Sequence, residues 1–290
     1  MQPDSKLNPI EHHLNVSQTE TDACTLLAKA SQLSKQEIKQ AMAKGAVWLT
    51  RGKYTQRLRR AKKPLKLGDQ LHLYYNPKVL AQQVEDAQLI LDKGEYSIWY
   101  KPYAMLCQGS KWSDHTTINR FVETHLTPQR PAFIIHRLDR AATGLVLIGH
   151  SKTITAALAA QFEHRELDKQ YRVIVKGEFP KATRTITTEV DGKPACSHAS
   201  LVEYDSELDM SLVQVKIETG RKHQIRIHMA SIGFPVVGDR QHGGAETGDV
   251  NLQLTACFLD FTCPLSKQPL HVALPEALQP SLGALKAKAA

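Results

Sequence analysis

The feature that most constrains the fold is a series of short apolar segments between residues 96 and 218. Several of them have the length and composition of β-strands: residues 96–100, 144–149, 171–176, 184–190, 198–204 and 212–218. Two intervening segments, residues 151–166 and 222–232, show the spacing of apolar residues that is typical of helices. Short strands in series with a few helices favour an α+β fold over a regular alternation of strand and helix.

The length of the chain and its shifts in composition predict more than one domain. The 290 residues are enough for a large domain and a smaller one. We predict a flexible polar tail over residues 1–20, a small basic domain over residues 21–76, a linker over residues 77–94 and a larger domain over residues 95–290.

The charge of the chain indicates the class of partner. A net charge of +8, together with 42% hydrophobic residues, describes a folded basic protein and not a disordered polycation. Nucleic acid or another polyanion is therefore the expected partner.

The cysteines and the apolar runs bear on the compartment. The five cysteines are scattered and contain no CxxC pair, which argues against a disulfide framework and against a zinc site of the usual ligand spacing. The first residues lack a signal-peptide pattern, and no apolar run approaches the roughly 18 residues of a membrane span. We expect a cytoplasmic protein with no membrane partner.

Two short helices are predicted at the start of the small domain. Their apolar positions are Leu26, Leu27 and Ala30 in the first and Ile38, Ala41 and Met42 in the second. Ser34 and Glu37 have the spacing of a capping box at the start of the second helix, and Gly45 follows its end. Strand patterns begin at Val47 and cover residues 70–75.

A run of cations without an intervening acid follows these helices. Its members are Arg51, Lys53, Arg57, Arg59, Arg60, Lys62, Lys63 and Lys66. Such a run is often only a solvated face. Because this one lies beside a two-helix platform, we favour contact with phosphates, and we predict nucleic-acid binding by Lys53, Arg57, Arg59, Arg60, Lys62 and Lys63.

The segment HRLDRAATGLVLIGH, residues 136–150, contains the most informative acid of the chain. Asp139 lies between Arg137 and Arg140, which would favour its charged form. An apolar run that is typical of a buried strand follows, and it would fix the position of the carboxylate. A charged carboxylate on such a loop suits a nucleophile or a base, and the alternative is a salt-bridged anchor of the loop.

Residues 218–239, ETGRKHQIRIHMASIGFPVVGD, form a second cluster of polar side chains. Lys222 and Arg226 share one face of the predicted helix, which gives that face donors for an anion. Metal binding is the weaker alternative, because His223 and His228 are five positions apart and match no metal motif. We therefore predict no metal site.

Both segments resemble signatures of one enzyme family. HRLDRAATG is similar to the HRLDxxTSG signature of the RluA-type pseudouridine synthases, and GRKHQIRIHMASIGFPVVGD is similar to that family's GRTHQIRVHLxxxGxPxxGD stretch. Tyr100-Lys101-Pro102 resembles its NKP segment, and Lys169-Gln170-Tyr171 resembles its KxY segment. The motifs occur in the family's order over about residues 95–280.

The small domain resembles another known module. Over residues 21–76 the chain is similar to the RNA-binding module of the ribosomal protein S-four type, through Ser34-Lys35, Gly45-Ala46-Val47 and Leu67-Gly68-Asp69. The two resemblances together imply a catalytic domain with a mixed, mainly antiparallel β-sheet flanked by helices, preceded by a small α/β S-four-like domain.

The resemblance also implies roles for single residues. Asp139 matches the catalytic aspartate, Tyr171 the tyrosine that packs against the target base, and Arg226 the arginine that pairs with the aspartate. RNA contacts are expected at Arg137, Arg140, Arg221 and Lys222, and supporting roles at Lys101, His136, Thr143 and His223. In one departure, the family's Thr-Ser pair is Ala142-Thr143 here, so one hydroxyl is kept and one is absent.

The activity implied by this resemblance is the isomerisation of uridine to pseudouridine in structured RNA, with rRNA favoured over tRNA. No electrons enter or leave in that reaction, so we expect no cofactor, and nothing requires more than a monomer. Two alternatives remain: an RNA-binding or ribosome-assembly protein without activity, and a metal-dependent nuclease. The nuclease is disfavoured because the sequence lacks clustered acidic ligands.

Overall fold

The computed structural model describes residues 8–17, 22–243 and 250–289. These residues form two compact units. The first comes from within residues 1–84 together with 108–121, and the second from residues 85–107 together with 122–290.

The described part of the first unit contains three helices, one of them short, and a sheet. Its elements are β1 (Ile10–Asn15), α1 (Ala23–Ser31), α2 (Lys35–Ala43), β2 (Val47–Arg51), β3 (Tyr54–Arg57), β4 (Gln70–Tyr75) and α3 (Pro77–Leu80). The strands are antiparallel in the order β1-β4-β2-β3. The apolar face of the helices, with Leu27, Ile38 and Met42, is buried in one core with Leu71 and Leu73 of β4.

Both predicted helices of this unit are confirmed. The side chain of Ser34 accepts a hydrogen bond from the backbone N–H of Glu37, and the backbone N–H of Ser34 donates to the Glu37 carboxylate at 2.8 Å. This reciprocal pair is the predicted capping box. At the start of α1, Asp22 caps the backbone N–H of Thr25 at 3.0 Å.

The tail predicted over residues 1–20 is partly wrong, because Ile10–Asn15 forms the edge strand β1 against β4. Ile10 and Leu14 point toward the core of the unit and alternate with exposed residues. The alternation is weak in the sequence, because the inward position between these two is a histidine. The rest of the predicted tail, residues 1–7 and 18–20, lies outside the described residues.

The linker predicted over residues 77–94 is also wrong at both ends. Pro77–Leu80 is a short helix whose first turn is capped by Asn76. Gln88–Asp92 is a strand that pairs with the next strand of the larger sheet.

Residues 108–121, which the predicted boundaries put in the large domain, cluster with the first unit. The Asp114 carboxylate of this segment forms ion pairs with Arg57 and Arg59, and the backbone carbonyl of Lys111 accepts a hydrogen bond from the Trp48 indole at 3.0 Å. A boundary drawn from composition could not detect this, because the contacts join residues more than 50 positions apart.

The second unit is built on a ten-stranded sheet. Its strands are β5 (Gln88–Asp92), β6 (Tyr96–Lys101), β7 (Phe133–Ile134), β8 (Thr143–Gly149), β9 (Asp168–Lys176), β10 (Arg184–Ile186), β11 (Ser197–Asp205), β12 (Met210–Ile217), β13 (Leu254–Thr262) and β14 (Pro269–Ala273). The α-helices that follow α3 along the chain are α4 (Ile118–His125), α5 (Lys152–Glu163), α6 (Gln224–Ser231) and α7 (Leu282–Ala289).

The strand order in the second unit is β10-β11-β12-β9-β13-β8-β6-β5, with β14 added to β13 and β7 added to β8. Neighbouring strands are antiparallel except for β13 and β8, which are parallel. The predicted α+β fold with a mixed, mainly antiparallel sheet is therefore confirmed. The central strand β13 was not among the strands predicted from the sequence, although it lies between β8 and β9.

Helices cover parts of this sheet through apolar contacts. Leu158 of α5 is fully buried in one cluster with Leu145 and Leu147 of β8. Ile225 and Met229 of α6 are buried in another cluster that contains Val173 of β9. The second packing fixes the helix that carries Arg226. Within the described residues, no helix is long and apolar enough to cross a membrane.

The start of β8 requires a residue without a side chain. Gly144 has φ +109°, and a Cβ placed there would lie 2.3 Å from the backbone oxygen and 2.5 Å from the backbone nitrogen of Ala256 in β13. The close approach of the two backbones at this point is therefore possible only with glycine.

We predict that Gly144→Ala destabilises the protein by roughly 3 to 5 kcal/mol, because its Cβ would push β8 away from β13. Gly192 is a matched control, since it also has positive φ, +68°, but nothing within 4 Å of an added Cβ. Gly192→Ala should cost only about 1 kcal/mol. Denaturant unfolding of both variants measures the difference, and equal costs would contradict the steric argument.

Candidate active site

Asp139 lies on the loop between β7 and β8, and the backbone on both sides of it is anchored. On one side, the N–H of Leu138 donates to the Cys107 sulfur at 3.2 Å, and the Cys107 thiol donates to the Leu138 carbonyl at 3.5 Å. On the other side, the ammonium of Lys101 donates to the carbonyl of Arg140 at 3.4 Å. The position of the carboxylate is therefore set by buried groups and not by the loop alone.

Lys101 is fully buried and its donors are used by the backbone. Besides Arg140, it donates to the carbonyls of Pro102 at 3.1 Å and Met105 at 2.8 Å. Burial lowers the pKa of Lys101 to about 8, while Cys107 and Asp139 oppose that shift. The predicted supporting residue thus ties the turn after β6 to the Asp139 loop.

Arg226 is the cation that the fold brings to Asp139. Its Nη1 lies 3.4 Å from the Asp139 Oδ2, and its side chain is 8% exposed against 25% for Asp139. The predicted pairing of Arg226 with Asp139 is present in the structure. The carboxylate thus has one face in contact with a buried cation and the remainder accessible to a ligand.

Asp239 holds the other side of the Arg226 guanidinium. Arg226 donates from Nε at 2.8 Å and from Nη2 at 2.6 Å to the two oxygens of this carboxylate, which is 1% exposed. The backbone N–H groups of Gln241 and His242 also donate to Asp239, each at 3.0 Å. This forked geometry fixes the plane of the guanidinium, so that its remaining edge points at Asp139.

His223 is the second group near the carboxylate. Its Nε2 lies 3.8 Å from the Asp139 Oδ2, and its Nδ1 is 3.1 Å from the Nε2 of His242. The residue adopts a left-handed conformation, φ 56°, immediately before α6. Burial lowers the pKa of His223, although the charge of Asp139 acts in the opposite direction.

Tyr171 lies on β9 and is buried in the cluster that also contains Ala142. Burial raises the pKa of its phenol well above the ordinary value, and the negative charge of Asp139 contributes to the shift. The phenol is therefore neutral at physiological pH, and it lies within electrostatic reach of Asp139. This position suits a ring that packs against an uncharged ligand.

The arginines next to Asp139 in the sequence do not play the part that the sequence suggested. Among the described residues, the groups within ion-pair distance of Asp139 are the Arg226 guanidinium and the His223 ring. Arg137 and Arg140 are exposed, and the Nε of Arg140 donates to the carbonyl of Ala104 at 3.4 Å. The guanidinium in contact with Asp139 thus comes from α6 and not from its own loop.

Two other supporting residues fix the strand behind Asp139. His136 accepts a hydrogen bond from the N–H of Leu147 at 3.1 Å and stacks on Phe162 with 4.6 Å between ring centres. Burial lowers the pKa of His136 to about 3, so the ring is neutral. The Thr143 hydroxyl is hydrogen-bonded to that of Thr255 at 2.8 Å, which gives the retained hydroxyl a structural partner.

The polar residues around Arg226 divide into exposed and structural groups. Arg221 and Lys222 are exposed, as an RNA contact requires. Gln224 and His228 are buried, and both contact the hydroxyl of Ser197, at 3.0 and 2.9 Å. Much of the second motif therefore serves to seat α6 on β11.

The cations predicted to bind RNA in the first unit also divide into two groups. Arg57 and Arg59 share the Asp114 carboxylate, and Arg57 stacks on Trp48 with 4.2 Å to the ring centre. Their head groups thus have structural partners. Lys53, Arg60 and Lys62 are exposed, and Lys63 is half-buried.

Sequence reasoning missed two residues of this site. Asp239 stands at the end of the second quoted motif, where a Gly-Asp turn could have marked it, but no role was expected for it. No role was expected for Cys107 either, and nothing in its sequence context indicates its contact with Leu138. Both act by positioning other groups.

Comparison with known proteins identifies the class. Residues 95–231 match the family described as RNA pseudouridylate synthase. An "uncharacterized RNA pseudouridine synthase" of Aquifex aeolicus is 28% identical over 242 residues, which is 75% of each chain. The ribosomal large subunit pseudouridine synthase D of Xanthomonas campestris is 29% identical over 60% of this chain and 61% of its own.

Two further similarities, one to a sequence and one to a solved structure, support different conclusions. The tRNA pseudouridine synthase C of Pectobacterium carotovorum is 32% identical over 48% of this chain and 45% of its own. The chain thus spans only about half to two thirds of several curated relatives. The structure of human RNA pseudouridylate synthase domain containing 1 has a TM-score of 0.56 at 19% identity, over 71% of this chain and 96% of that one, which shows the fold alone.

The match thus places residues 95–231 of the second unit with the RNA pseudouridine synthases, a class of isomerases. Residues 95–231, just under half of the chain, match the RNA pseudouridylate synthase family, in agreement with the resemblance of the motifs in this region.

We predict that Asp239→Asn destabilises the protein by roughly 3 to 5 kcal/mol, because the buried Arg226 loses its charged partner. The control is Asp168→Asn, since Asp168 pairs with Lys216 at the surface and is 46% exposed. That variant should lose at most about 1 kcal/mol. Denaturant unfolding compares them, and a small effect at Asp239 would show that Asp139 alone satisfies Arg226.

The ion pair between Arg226 and Asp239 also predicts a pH dependence of the protein's stability. Burial would raise the pKa of Asp239, but hydrogen bonds from Arg226 and from the backbone of Gln241 and His242 hold it below the ordinary value of 3.8. A lowered folded-state pKa gives stability that is complete above the unfolded-state value and is lost as the pH falls through the folded-state one. The acid-induced loss of stability should therefore be smaller in Asp239→Asn than in the natural protein.

Proposed function

We propose that this protein converts specific uridines of structured RNA into pseudouridine, and that Asp139 initiates the reaction. The observation that carries the proposal is the arrangement of Asp139 and Arg226, whose nearest atoms are 3.4 Å apart on the accessible side of a guanidinium locked by Asp239. A carboxylate held in this way is preorganised for attack or for proton removal.

The reaction requires few chemical groups. The bond between ribose carbon 1 and the base nitrogen breaks, the uracil turns, and ribose carbon 1 joins base carbon 5. Carbon 5 loses a proton and the nitrogen gains one, so atoms and electrons balance without an oxidant or a reductant. A charged carboxylate and a surface that holds the detached uracil are sufficient.

Three routes use the same carboxylate. Asp139 attacks ribose carbon 1, adds to the base, or removes the proton of ribose carbon 2. Each route uses the carboxylate that Arg226 contacts at 3.4 Å. The proposal covers the identity of the residue, and it leaves the choice among the three routes to experiment.

Tyr171 and Arg226 take complementary parts in this proposal. The neutral phenol ring of Tyr171 packs against the uracil and keeps it in place while it turns. Arg226 orients Asp139 and stabilises the negative charge before the reaction. Lys101 and His223 help to position the same carboxylate.

The target nucleotide must leave its helix to reach Asp139, because the reacting atoms are covered in stacked RNA. The exposed Arg137 is two residues from Asp139 and fills the space that the nucleotide leaves. Arg140, Arg221 and Lys222 are exposed cations of the same unit and contact phosphates around the flipped nucleotide.

The substrate is proposed to be rRNA, with tRNA as the second candidate. The names of related proteins include both kinds of substrate, ribosomal large subunit and tRNA. The S-four-like character of the first unit favours rRNA, because that module is named after a ribosomal protein. We also propose that the protein acts in the cytoplasm, as a monomer.

We predict that Asp139→Asn abolishes pseudouridine formation, with a loss on the order of a thousandfold or more, and leaves RNA affinity within a few-fold. The measurement is pseudouridine mapping of RNA from cells that lack the gene and carry either the natural protein or the variant. Asp86→Asn, at an exposed position of the same unit, is the control and should restore every site.

Sites restored equally by the natural protein and by Asp139→Asn would remove Asp139 from the mechanism. If no site depends on the gene at all, the alternative of an RNA-binding or assembly protein without activity would replace the proposed one. A large loss of affinity in Asp139→Asn would instead assign Asp139 to substrate binding.

We predict that Arg60→Glu combined with Lys62→Glu weakens RNA binding and lowers the salt slope of the binding constant, by about 1 for each phosphate that the variant no longer neutralises. Both side chains are exposed, so stability should not change. Arg59→Gln is the matched comparison, because Arg59 pairs with Asp114 and its removal should lower stability. Titrations at several salt concentrations test the difference, and an unchanged slope would make the exposed run a solvated face.

A further inference from the structure

We propose that Cys196, His198 and Glu218 form a zinc-binding site in the second unit, apart from the residues that surround Asp139. The sulfur of Cys196, a ring nitrogen of His198 and a carboxylate oxygen of Glu218 all lie within 4.8 Å of one another. The proposal is independent of the proposed function, because none of the three residues takes part in it.

The register of two strands places the three side chains on one face. β11 begins at Ser197, which is opposite Ile217 of β12, and His198 is its second residue. Cys196 and His198 are two positions apart, so they point to the same side of the sheet. Glu218 follows Ile217, and its backbone N–H donates to the Cys196 carbonyl at 3.1 Å, so it stands opposite Cys196.

The distances suit a tetrahedral ion. Zinc lies about 2.3 Å from a cysteine sulfur and about 2.0 Å from a histidine nitrogen, so these two ligand atoms should be about 3.5 Å apart. The sulfur of Cys196 and the Nε2 of His198 are 3.7 Å apart. The Glu218 oxygen lies 2.7 Å from that nitrogen and would have to move outward by less than about 1 Å, which a half-exposed side chain can do.

A second layer of contacts orients the ligands. The Nδ1 of His198 lies 3.1 Å from the hydroxyl of Thr185 on β10, which leaves Nε2 directed at the other two residues. The carbonyl of Cys196 accepts from Glu218 and also from the side-chain amide of Gln224 at 3.0 Å. A histidine ligand whose other nitrogen is hydrogen-bonded, on a fixed backbone, is the usual arrangement of a protein metal site.

The chemistry of the ligands selects the metal. A thiolate, an imidazole and a carboxylate together suit zinc, whereas magnesium and calcium take oxygen ligands. Binding releases the thiol proton and replaces the hydrogen bond between His198 and Glu218 with two bonds to the ion. Three protein ligands leave the fourth position to a water molecule.

The location of the site predicts its effect. Gln224 of α6 is hydrogen-bonded to Cys196 and Ser197. An ion bound at Cys196 would therefore make the backbone that contacts this helix more rigid. The three ligands lie together in the folded chain and not in the unfolded one. Zinc therefore binds the folded chain and raises the melting temperature. We expect it to act on stability, because the three ligands are not in contact with Asp139, Arg226 or Tyr171 in the described structure.

The experiment uses the full-length protein without a tag, and the probes are Zn²⁺ and Co²⁺ as chlorides. One Co²⁺ per chain should bind with the near-ultraviolet band of a thiolate ligand, and Zn²⁺ should displace it and raise the melting temperature. Mg²⁺ should do neither. Cys196→Ser should remove the thiolate band, His198→Gln should weaken binding at least tenfold, and Thr185→Val should weaken it roughly tenfold to a hundredfold.

The matched control is His271→Gln. His271 of β14 pairs with Asp260 of β13, and among the described residues no third metal-ligating group joins these two, so its removal should leave the cobalt spectrum unchanged. The absence of a thiolate band in the natural protein would overturn the proposal without reference to any variant. A band that survives both Cys196→Ser and His198→Gln would place the ion on other residues and would overturn it equally.

Discussion

The position of the Arg226 guanidinium is the constraint on which the rest of the site depends. One carboxylate, Asp239, is buried and takes two of its hydrogen bonds, and the other, Asp139, is partly exposed and takes a single longer one. A buried cation between two acids costs less than an unpaired one. The buried ion pair with Asp239 thus holds the guanidinium that contacts Asp139, the proposed catalytic carboxylate.

The strands and helices on which this site is built contribute different parts. β9 supplies Tyr171, α6 supplies Arg226, and the loop before β8 supplies Asp139. The loop is the least regular of the three, and it is also the one whose backbone is anchored on both sides, by Cys107 and Lys101. The proposed catalytic carboxylate is therefore held in place by side-chain contacts to the loop backbone and not by regular secondary structure.

Much of this could be predicted from the sequence where the signal is local. The capping box at Ser34 and Glu37 depends on residues three positions apart, and the strand after Asp139 is a continuous apolar run. The pairing of Asp139 with Arg226 was predicted through the resemblance to a family, since 87 positions separate the two residues. The nearby arginines, which local reasoning favoured, do not lie against the carboxylate.

What could not be predicted depends on contacts between distant segments. The central strand β13 carries a mixture of small, polar and apolar residues that hides its place between β8 and β9. The trio of Cys196, His198 and Glu218 has no recognisable spacing, because the third ligand comes from the neighbouring strand. Asp114 could not be identified as a partner of Arg57 and Arg59, because it follows them by more than 50 positions in the sequence.

The Asp114 contact limits how the first unit can be exchanged between genes. Its sheet and helices come from the start of the chain, but the carboxylate that neutralises two of its arginines arrives from residues 108–121. A gene segment that ended near residue 84 would carry the arginines without that carboxylate. The small unit therefore depends on residues from later in the chain. Recombination could transfer it intact only together with the segment that contains residues 108–121.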